Sequence, residues 1–235
     1  MKQNERQINT ISGQVYQIIR EDICSGAYPP GYWLQENELA KRLSISRSPV
    51  REALRRLVAD HLVVEIPNKG TFVRDFSLKD IQEVFDVRVM LESYALDHIY
   101  ENMTERHREK LLTALANLKD AYSDSDLEQY IEYDTVLHNM IIHQAGNTLV
   151  ESIYEQVAFL IQRFRSFSLK GKERFDASII EHEQIINAIF DNDPEEAKRV
   201  NCRHLELARD KILDYLDSLA KAGDLPETNA GESAD

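Results

Sequence analysis

Residues 34–57 read LQENELAKRLSISRSPVREALRRL, a pattern of two short amphipathic helices separated by a turn. Leucine and alanine at helical spacing predict the first helix over 34–43. A turn at 44–46 follows, and serines beside Pro49 are typical of a helix start, which predicts a second helix to about Ala59. The apolar stripe of this second helix consists of Val50, Ala53, Leu54 and Leu57. The segment therefore predicts a helix-turn-helix.

The residues on either side extend this pattern to a winged helix. Isoleucine and valine at three- and four-residue spacing predict an amphipathic helix over 10–25. After the second helix, the stretch HLVVEIPNKGTFV (61–73) predicts strands at 62–66 and 71–73 around a tight turn. A helix-turn-helix followed by a two-stranded wing predicts a winged helix-turn-helix DNA-binding domain over 1–75.

From residue 77 onward almost all of the chain has helical periodicity. The breaks between the periodic segments contain glycine, proline, asparagine and serine, which commonly end helices. We predict helices near 77–100, 104–122, 125–145, 147–169, 174–191 and 194–220. About six helices with short loops predict an antiparallel bundle over 76–222, and the acidic residues 223–235 predict a flexible tail. The predicted fold class is therefore mostly α.

The two predicted domains differ in the sign of their charge. The 235-residue chain has a formal net charge of −13, yet residues 1–75 contain 11 Lys/Arg and 9 Asp/Glu, a net charge of +2. The remainder has 17 basic and 32 acidic residues, a net charge of −15. Because acidic surfaces repel phosphate, we expect any nucleic-acid surface to lie in the first domain.

Cysteine usage and the absence of targeting signals predict a cytoplasmic protein. Cys24 and Cys202 are too few for a disulfide framework and suit a reducing compartment. The polar N-terminus has no apolar secretory signal, and no window of about 18 apolar residues predicts a membrane span. We therefore expect no membrane partner.

The second helix of the predicted helix-turn-helix presents an arginine-rich face. Arg47, Arg51 and Arg55 are four residues apart, so they share one side of the helix. Such a face can be an ordinary solvated surface, but its place between a turn and a wing, in the non-acidic part of the chain, favours DNA recognition. Arg55 and Arg56 are expected on phosphates or in solvent. The predicted DNA-binding residues are Ser46, Arg47, Ser48, Arg51, Arg55, Lys69 and Gly70.

These stretches strongly resemble the GntR family of bacterial transcription regulators, on LQENELAKRLSISRSPVREALRRL and HLVVEIPNKGTFV. The acidic helical remainder is similar to the FCD ligand-binding domain of the FadR-type subfamily. The resemblance spans about residues 10–220 and implies that Arg47, Arg51 and Gly70 contact a double-stranded operator. It also implies a homodimer formed by the helical domain. Family members often carry a basic residue where this chain has Asn37, so that contact is expected to differ.

Four polar residues interrupt the apolar stripes of the predicted bundle. Asp134 and His138 are four residues apart on one helix, while His182 and His204 lie among apolar residues of two later helices. Inward histidines are often ordinary core residues, but one carboxylate and three imidazoles can also hold a divalent metal ion. The resemblance favours the metal, because FCD domains commonly bind one through an Asp-x-x-x-His pair and two later histidines. Zinc is the predicted ion, with nickel and manganese as alternatives.

Arg88 lies on the apolar stripe of the first bundle helix, one turn before Glu92. A buried arginine needs an anionic partner, which predicts either an internal Arg88–Glu92 ion pair or a contact with a ligand carboxylate. The resemblance implies the ligand contact, since the subfamily places an arginine near the cavity and often responds to small carboxylic or sugar acids. Arg88 is therefore the predicted effector-binding residue.

Together these patterns predict a transcription regulator, with repression as the expected action. Its operator affinity would be controlled by a small carboxylic or sugar acid bound near a divalent metal. The alternative is a regulator that senses the metal directly. A metal-dependent hydrolase is the remote alternative, because His182-Glu183 lacks the second histidine of an H-E-x-x-H motif and residue 186 is isoleucine. The chain is not expected to be an enzyme.

Overall fold

The computed structural model describes residues 10–75, 77–162 and 164–222. The chain divides into two compact units, with the second unit beginning at Ser77. The predicted flexible tail, 223–235, lies outside the described residues. None of the described helices combines the length and apolar character needed to cross a bilayer.

In its described residues, 10–75, the N-terminal unit consists of three helices and a small antiparallel sheet. Its core forms where α1 packs against α3, which buries Ile19 and Leu54. The sheet has the strand order β1-β3-β2, and the β2–β3 hairpin pairs Val63 with Val73. The elements are α1 (Ile11–Cys24), β1 (Trp33–Leu34), α2 (Glu36–Arg42), α3 (Arg47–Ala59), β2 (Val63–Ile66) and β3 (Gly70–Val73).

The first strand corrects the prediction that a helix begins at residue 34. Leu34 is instead in β1, where it pairs with Thr71, and Trp33 pairs with Phe72. Local periodicity assigned Leu34 to α2, but the backbone of this segment pairs with a strand that is distant in the sequence. The wing sheet therefore has three strands rather than the predicted two.

The C-terminal unit is a bundle of helices joined by short loops. Its largest contacts join α4 and α9 to α10, and α5 to α6. Its apolar core includes Leu96, Leu118, Leu137 and Ile185. The elements are α4 (Leu78–His98), a 3₁₀ turn (Ile99–Asn102), α5 (Glu105–Ser123), α6 (Leu127–Gln144), α7 (Thr148–Gln162), α8 (Arg165–Ser168), α9 (Lys172–Phe190) and α10 (Pro194–Ala222).

The single helix predicted over 147–169 is divided into α7 and the short helix α8. Phe164, the N-cap of α8, has φ −102° and ψ −4° and is buried. After this break the side chain of Arg165 contacts the carboxylate of Asp134. The buried contact between Arg165 and Asp134 accounts for the break between α7 and α8. Apolar periodicity does not predict a contact between residues so far apart in the sequence.

Candidate functional site

Three helices of the C-terminal unit bring the four predicted metal ligands together. α6 supplies Asp134 and His138, α9 supplies His182, and α10 supplies His204. All four side chains are buried, and one ligand atom from each lies within 4.8 Å of the others. The cluster exists because these helices pack together, since the three histidines are far apart in the sequence.

Nitrogen and oxygen atoms face one another at short range inside this cluster. His182 Nε2 lies 2.9 Å from Asp134 Oδ1 and 3.4 Å from His138 Nε2. His138 Nε2 lies 3.7 Å from the same Asp134 oxygen. The ring centroid of His204 is 4.4 Å from that of His182. The spacing is compact enough for a single ion.

The other nitrogen of each ring, Nδ1, has an acceptor outside the cluster. The Nδ1 distances are 3.0 Å from His138 to Glu92 Oε2, 2.8 Å from His182 to the Ser178 carbonyl oxygen and 2.7 Å from His204 to Glu181 Oε2. These acceptors favour the tautomer protonated at Nδ1. The Nε2 lone pair of each neutral ring is then free to bind a cation, which is the usual arrangement around metal-bound histidines.

The electrostatics of the cluster favour neutral imidazoles. Burial lowers the pKa of His138, and burial together with neighbouring histidines lowers the pKa values of His182 and His204 well below their usual range. A neutral His182 that donates Nδ1–H to Ser178 has no proton left for Asp134, so lone pairs oppose each other there. A cation removes this repulsion, and three nitrogens with one carboxylate oxygen suit a divalent metal.

Arg88 forms the internal ion pair that was one of its two predicted alternatives. Its Nε donates to Glu92 Oε1 over 2.6 Å, and both side chains are buried. Tyr154 and Asn201 also donate to Glu92. Although burial raises it, the charge of Arg88 and the hydrogen bonds from His138 and Asn201 hold the pKa of Glu92 well below its usual range. Arg88 Nη2, however, is buried without a hydrogen-bond acceptor in the described part of the chain.

Two arginines that the sequence analysis missed, Arg165 and Arg174, line the same cavity as Arg88. Arg165 Nη1 contacts Asp134, but its Nε and Nη2 are buried without acceptors among the residues described. Arg174 Nη1 lies 2.9 Å from Glu181 Oε2. Burial and the charge of Arg88 lower the pKa of Arg165 to about 9. No periodic signal could identify Arg165, because the break before α8 determines where it lies.

The cavity beside the cluster is small and strongly charged. Its volume is about 20 Å³, enough for about one water molecule. Among the described residues, the charged groups around the cavity and the cluster are the guanidinium groups of Arg88, Arg165 and Arg174 and the carboxylates of Glu92, Asp134 and Glu181. Arg174 and Glu181 are half-buried, and the other four are buried. These charges balance while the imidazoles are neutral. A bound divalent cation would leave positive charge in excess, and buried excess charge favours a ligand of opposite sign.

The predicted DNA-binding residues of the N-terminal unit lie at its surface. Ser46 precedes α3 as its N-cap. The side chains exposed on or beside α3 and in the β2–β3 turn are Ser46, Arg47, Ser48, Arg51, Arg55 and Lys69. Arg56, expected on phosphates or in solvent, is exposed, and it also lies over the Tyr16 ring, with 4.3 Å from its guanidinium carbon to the ring centroid.

Gly70 has a structural reason to be glycine. Its φ of +115° is a conformation that other residues rarely adopt, and a Cβ atom there would lie 2.5 Å from Trp33 Nε1. Gly70 is half-buried at the start of β3, so the β1–β3 contact requires a residue without a side chain at this position.

Comparisons with known proteins identify both units. Residues 11–73 match the family model of bacterial regulatory proteins of the gntR family, and residues 83–207 match the FCD domain. The chain belongs to the GntR family and carries an FCD domain. This GntR–FCD protein is thus a DNA-binding transcription regulator, and the predicted family, mostly α fold class and winged helix-turn-helix are confirmed.

Individual relatives of this GntR–FCD protein are regulators and not enzymes, as predicted. The gluconate operon transcriptional repressor of Bacillus subtilis is 28% identical over 180 residues, which cover 74% of each chain. The repressor RspR of Escherichia coli is 25% identical over 86% of this chain and 90% of its own. A GntR-type regulator structure from Rhodococcus sp. RHA1 has the same fold, with a TM-score of 0.71, 23% identity, and coverage of 86% of this chain and 97% of that one.

Proposed function

We propose that this regulator is a cytoplasmic repressor whose operator affinity depends on a small carboxylic or sugar acid bound beside a divalent metal in the FCD domain. The observation that carries the proposal is the juxtaposition of an Asp/His cluster with buried arginine N–H groups that lack acceptors among the residues described. A cation-binding cluster next to unsatisfied cationic donors suits an anion that contacts both.

Asp134, His138, His182 and His204 are the residues that would hold the metal. The outer acceptors on Nδ1 orient the three rings, and the buried setting excludes competing protonation. Zinc suits this donor set best, with nickel and manganese as alternatives. When bound, the ion would supply positive charge that attracts the oxygens of an acid.

Arg88, Arg165 and Arg174 are proposed to bind the acid. Each lines the cavity, and Arg88 and Arg165 have N–H groups without acceptors among the described residues, which can donate to carboxylate oxygens. Charge-assisted hydrogen bonds of this kind are short and strong. The relatives named as gluconate operon repressors, about 27–28% identical to this chain, support a sugar acid or a similar carboxylate as the effector class.

DNA binding is assigned to the N-terminal unit of a homodimer. In a helix-turn-helix the second helix enters the major groove, which places Ser46, Arg47, Ser48 and Arg51 near base edges. Two copies would read a pseudo-palindromic operator. An effector would alter DNA affinity only through unequal binding to two packings of the FCD domain, an effect commonly worth about 1–3 kcal/mol.

Elemental analysis of the purified, untagged protein tests the metal. About one equivalent of zinc, nickel or manganese per chain supports the proposed site. Carboxylic acids are then screened against the metal-loaded protein by thermal shift and by release or gain of DNA. Protein that stays metal-free after incubation with these ions contradicts the metal part of the proposal.

The small cavity favours one second candidate, direct metal sensing. A volume of about 20 Å³ has no room for a sugar acid unless the surrounding helices move, whereas a metal ion needs no such expansion. Titration separates the two functions. A metal sensor changes its DNA affinity when metal alone is added, while a metabolite regulator keeps its metal and responds only to the acid.

A further inference from the structure

Arg51, the central arginine of α3, is held by a carboxylate from the preceding helix. Its Nε donates to Glu36 Oε1 and its Nη2 donates to Glu36 Oε2, each over 2.8 Å. This is a two-point contact along one edge of the guanidinium plane. The pair is partly exposed, with 54% of the Arg51 side chain and 33% of the Glu36 side chain accessible.

Glu36 occupies an unfavourable place for an acidic residue in a DNA-binding protein. It is the first residue of α2, and it also lies within the electrostatic influence of Arg47 and Arg55. A carboxylate on a surface that approaches phosphates reduces DNA affinity. A glutamate among these three arginines must therefore contribute something other than DNA affinity.

The geometry of the pair indicates that benefit. A guanidinium group has five N–H donors. Glu36 engages Nε–H and one Nη2–H, which leaves the Nη1 donors and the second Nη2–H on the outer end of the side chain. Two donors at that end match the O6 and N7 acceptors of guanine in the major groove.

We propose that Glu36 is a positioning residue for base recognition, which holds Arg51 by its inner edge so that the outer edge meets a guanine. The inference rests on the proposed role of Arg51 as a base reader. Without Glu36, the flexible arginine reaches phosphates as readily as bases, and phosphate contacts carry no sequence information. Glu36 thus lowers the affinity for DNA in general and increases the discrimination between DNA sequences.

The chain offers a matched control for this idea. Glu38 lies two residues further along α2, carries the same charge and is exposed. Removing Glu38 therefore removes a similar repulsion from the same helix while the Arg51–Glu36 pair stays intact. A loss of charge affects both variants, whereas a loss of positioning affects only the Glu36 variant.

The experiment uses full-length protein and duplexes enriched by the wild type from a random-sequence library. Affinities for the enriched duplex and for a scrambled duplex of equal composition are measured for wild type, Glu36→Ala, Glu36→Gln, Glu38→Ala and Arg51→Ala. Thermal unfolding of each variant verifies folding. The library selection is also repeated with Glu36→Ala to record its base preferences.

Glu36→Ala is expected to bind scrambled DNA at least as tightly as wild type, while its ratio of specific to scrambled affinity falls about tenfold or more. Its selected sequences should lose a guanine preference that the wild type and Glu38→Ala retain. Glu36→Gln keeps one acceptor oxygen, so its ratio should lie between those of wild type and Glu36→Ala. It also provides the comparison if the alanine variant does not fold.

Two results would overturn the inference, and they differ in what else they affect. If Arg51→Ala loses discrimination but Glu36→Ala and Glu38→Ala have equal ratios, Arg51 is a reader and Glu36 does not position it. If Arg51→Ala discriminates as well as the wild type, the reader role of Arg51 fails, and the role of Glu36 fails with it.

Discussion

His138 and Glu92 are joined by a hydrogen bond of 3.0 Å between Nδ1 and Oε2 inside the FCD domain. The other oxygen of Glu92 accepts from Arg88 over 2.6 Å. One fully buried carboxylate therefore links a proposed metal ligand to a proposed effector-binding arginine. The two predicted alternatives for Arg88 are compatible, because the ion pair uses Nε and leaves Nη2 without an acceptor among the described residues.

This link makes Glu92→Gln an informative substitution. We expect the metal affinity to fall about 10- to 100-fold, because the acceptor that orients His138 loses its charge. The free energy of unfolding should also fall by about 3–5 kcal/mol, because Arg88 keeps a buried charge without its partner. Competition with a chelator and chemical denaturation measure the two effects. Unchanged metal affinity would show that Glu92 does not support the metal site.

Removal of two proposed ligands should separate effector sensing from DNA binding. The double variant His182→Ala/His204→Ala is expected to lose the metal and the response to acid while it retains basal DNA affinity, since the winged helix is a separate unit. Elemental analysis and DNA titration with and without acid are the measurements. The control is His143→Ala, which alters an exposed histidine beside Glu151 and should leave metal content intact. A double variant that still responds to acid would exclude the metal from sensing.

Acidification should destabilise the metal-stripped protein. The pKa values of His138, His182 and His204 are lowered in the folded state, while an unfolded histidine titrates near 6.5. Unfolding therefore takes up protons as the pH falls below about 6.5, so the stability present above that pH is lost on the acid side. Each proton contributes about 1.4 kcal/mol per pH unit. Denaturation in chelator at pH 7.5 and at pH 5.5 measures this, and equal stabilities would contradict it.

Gly70→Ala should destabilise the wing more than Gly31→Ala does. Both glycines have positive φ, +115° at Gly70 and +74° at Gly31, so both substitutions introduce backbone strain. Only the Gly70 substitution also brings a Cβ atom to 2.5 Å from Trp33 Nε1. We expect a loss of about 2–4 kcal/mol for Gly70→Ala and about 1–2 kcal/mol for Gly31→Ala. Unfolding monitored by Trp33 fluorescence tests the order, and equal losses would refute the steric part.

Arg55 and Arg56 are adjacent, yet their substitution should have different effects. Arg56→Ala removes the stacking on Tyr16 and should reduce the free energy of unfolding by about 1 kcal/mol. Arg55→Ala changes an exposed side chain and should leave stability within about 0.5 kcal/mol. Arg55→Ala should instead weaken binding to specific and scrambled duplexes alike. Reversed stability effects would contradict this division.

Much of the local structure follows from patterns in the sequence. Val50, Leu54 and Leu57 recur at helical spacing and form the buried face of α3. Asp134 and His138 are four residues apart, so their shared helix face requires only that α6 forms. These features depend on near neighbours, and helical periodicity places near neighbours in a fixed relationship.

Other features of the fold and of the candidate site depend on contacts between distant residues, which helical periodicity does not predict. Leu34 lies in a strand because Thr71 is available as its partner. Arg165, which follows the break between α7 and α8, contacts Asp134 on another helix. The pairing of Arg51 with Glu36 likewise joins two separate helices. Residue spacing alone therefore predicted most helices and turns, the arginine-rich face of α3 and the inward-facing histidines. Only the packing of the helices determined the charged cavity and the orientation of its donors. Buried charged groups need partners, and in this domain those partners come from residues that are distant in the chain.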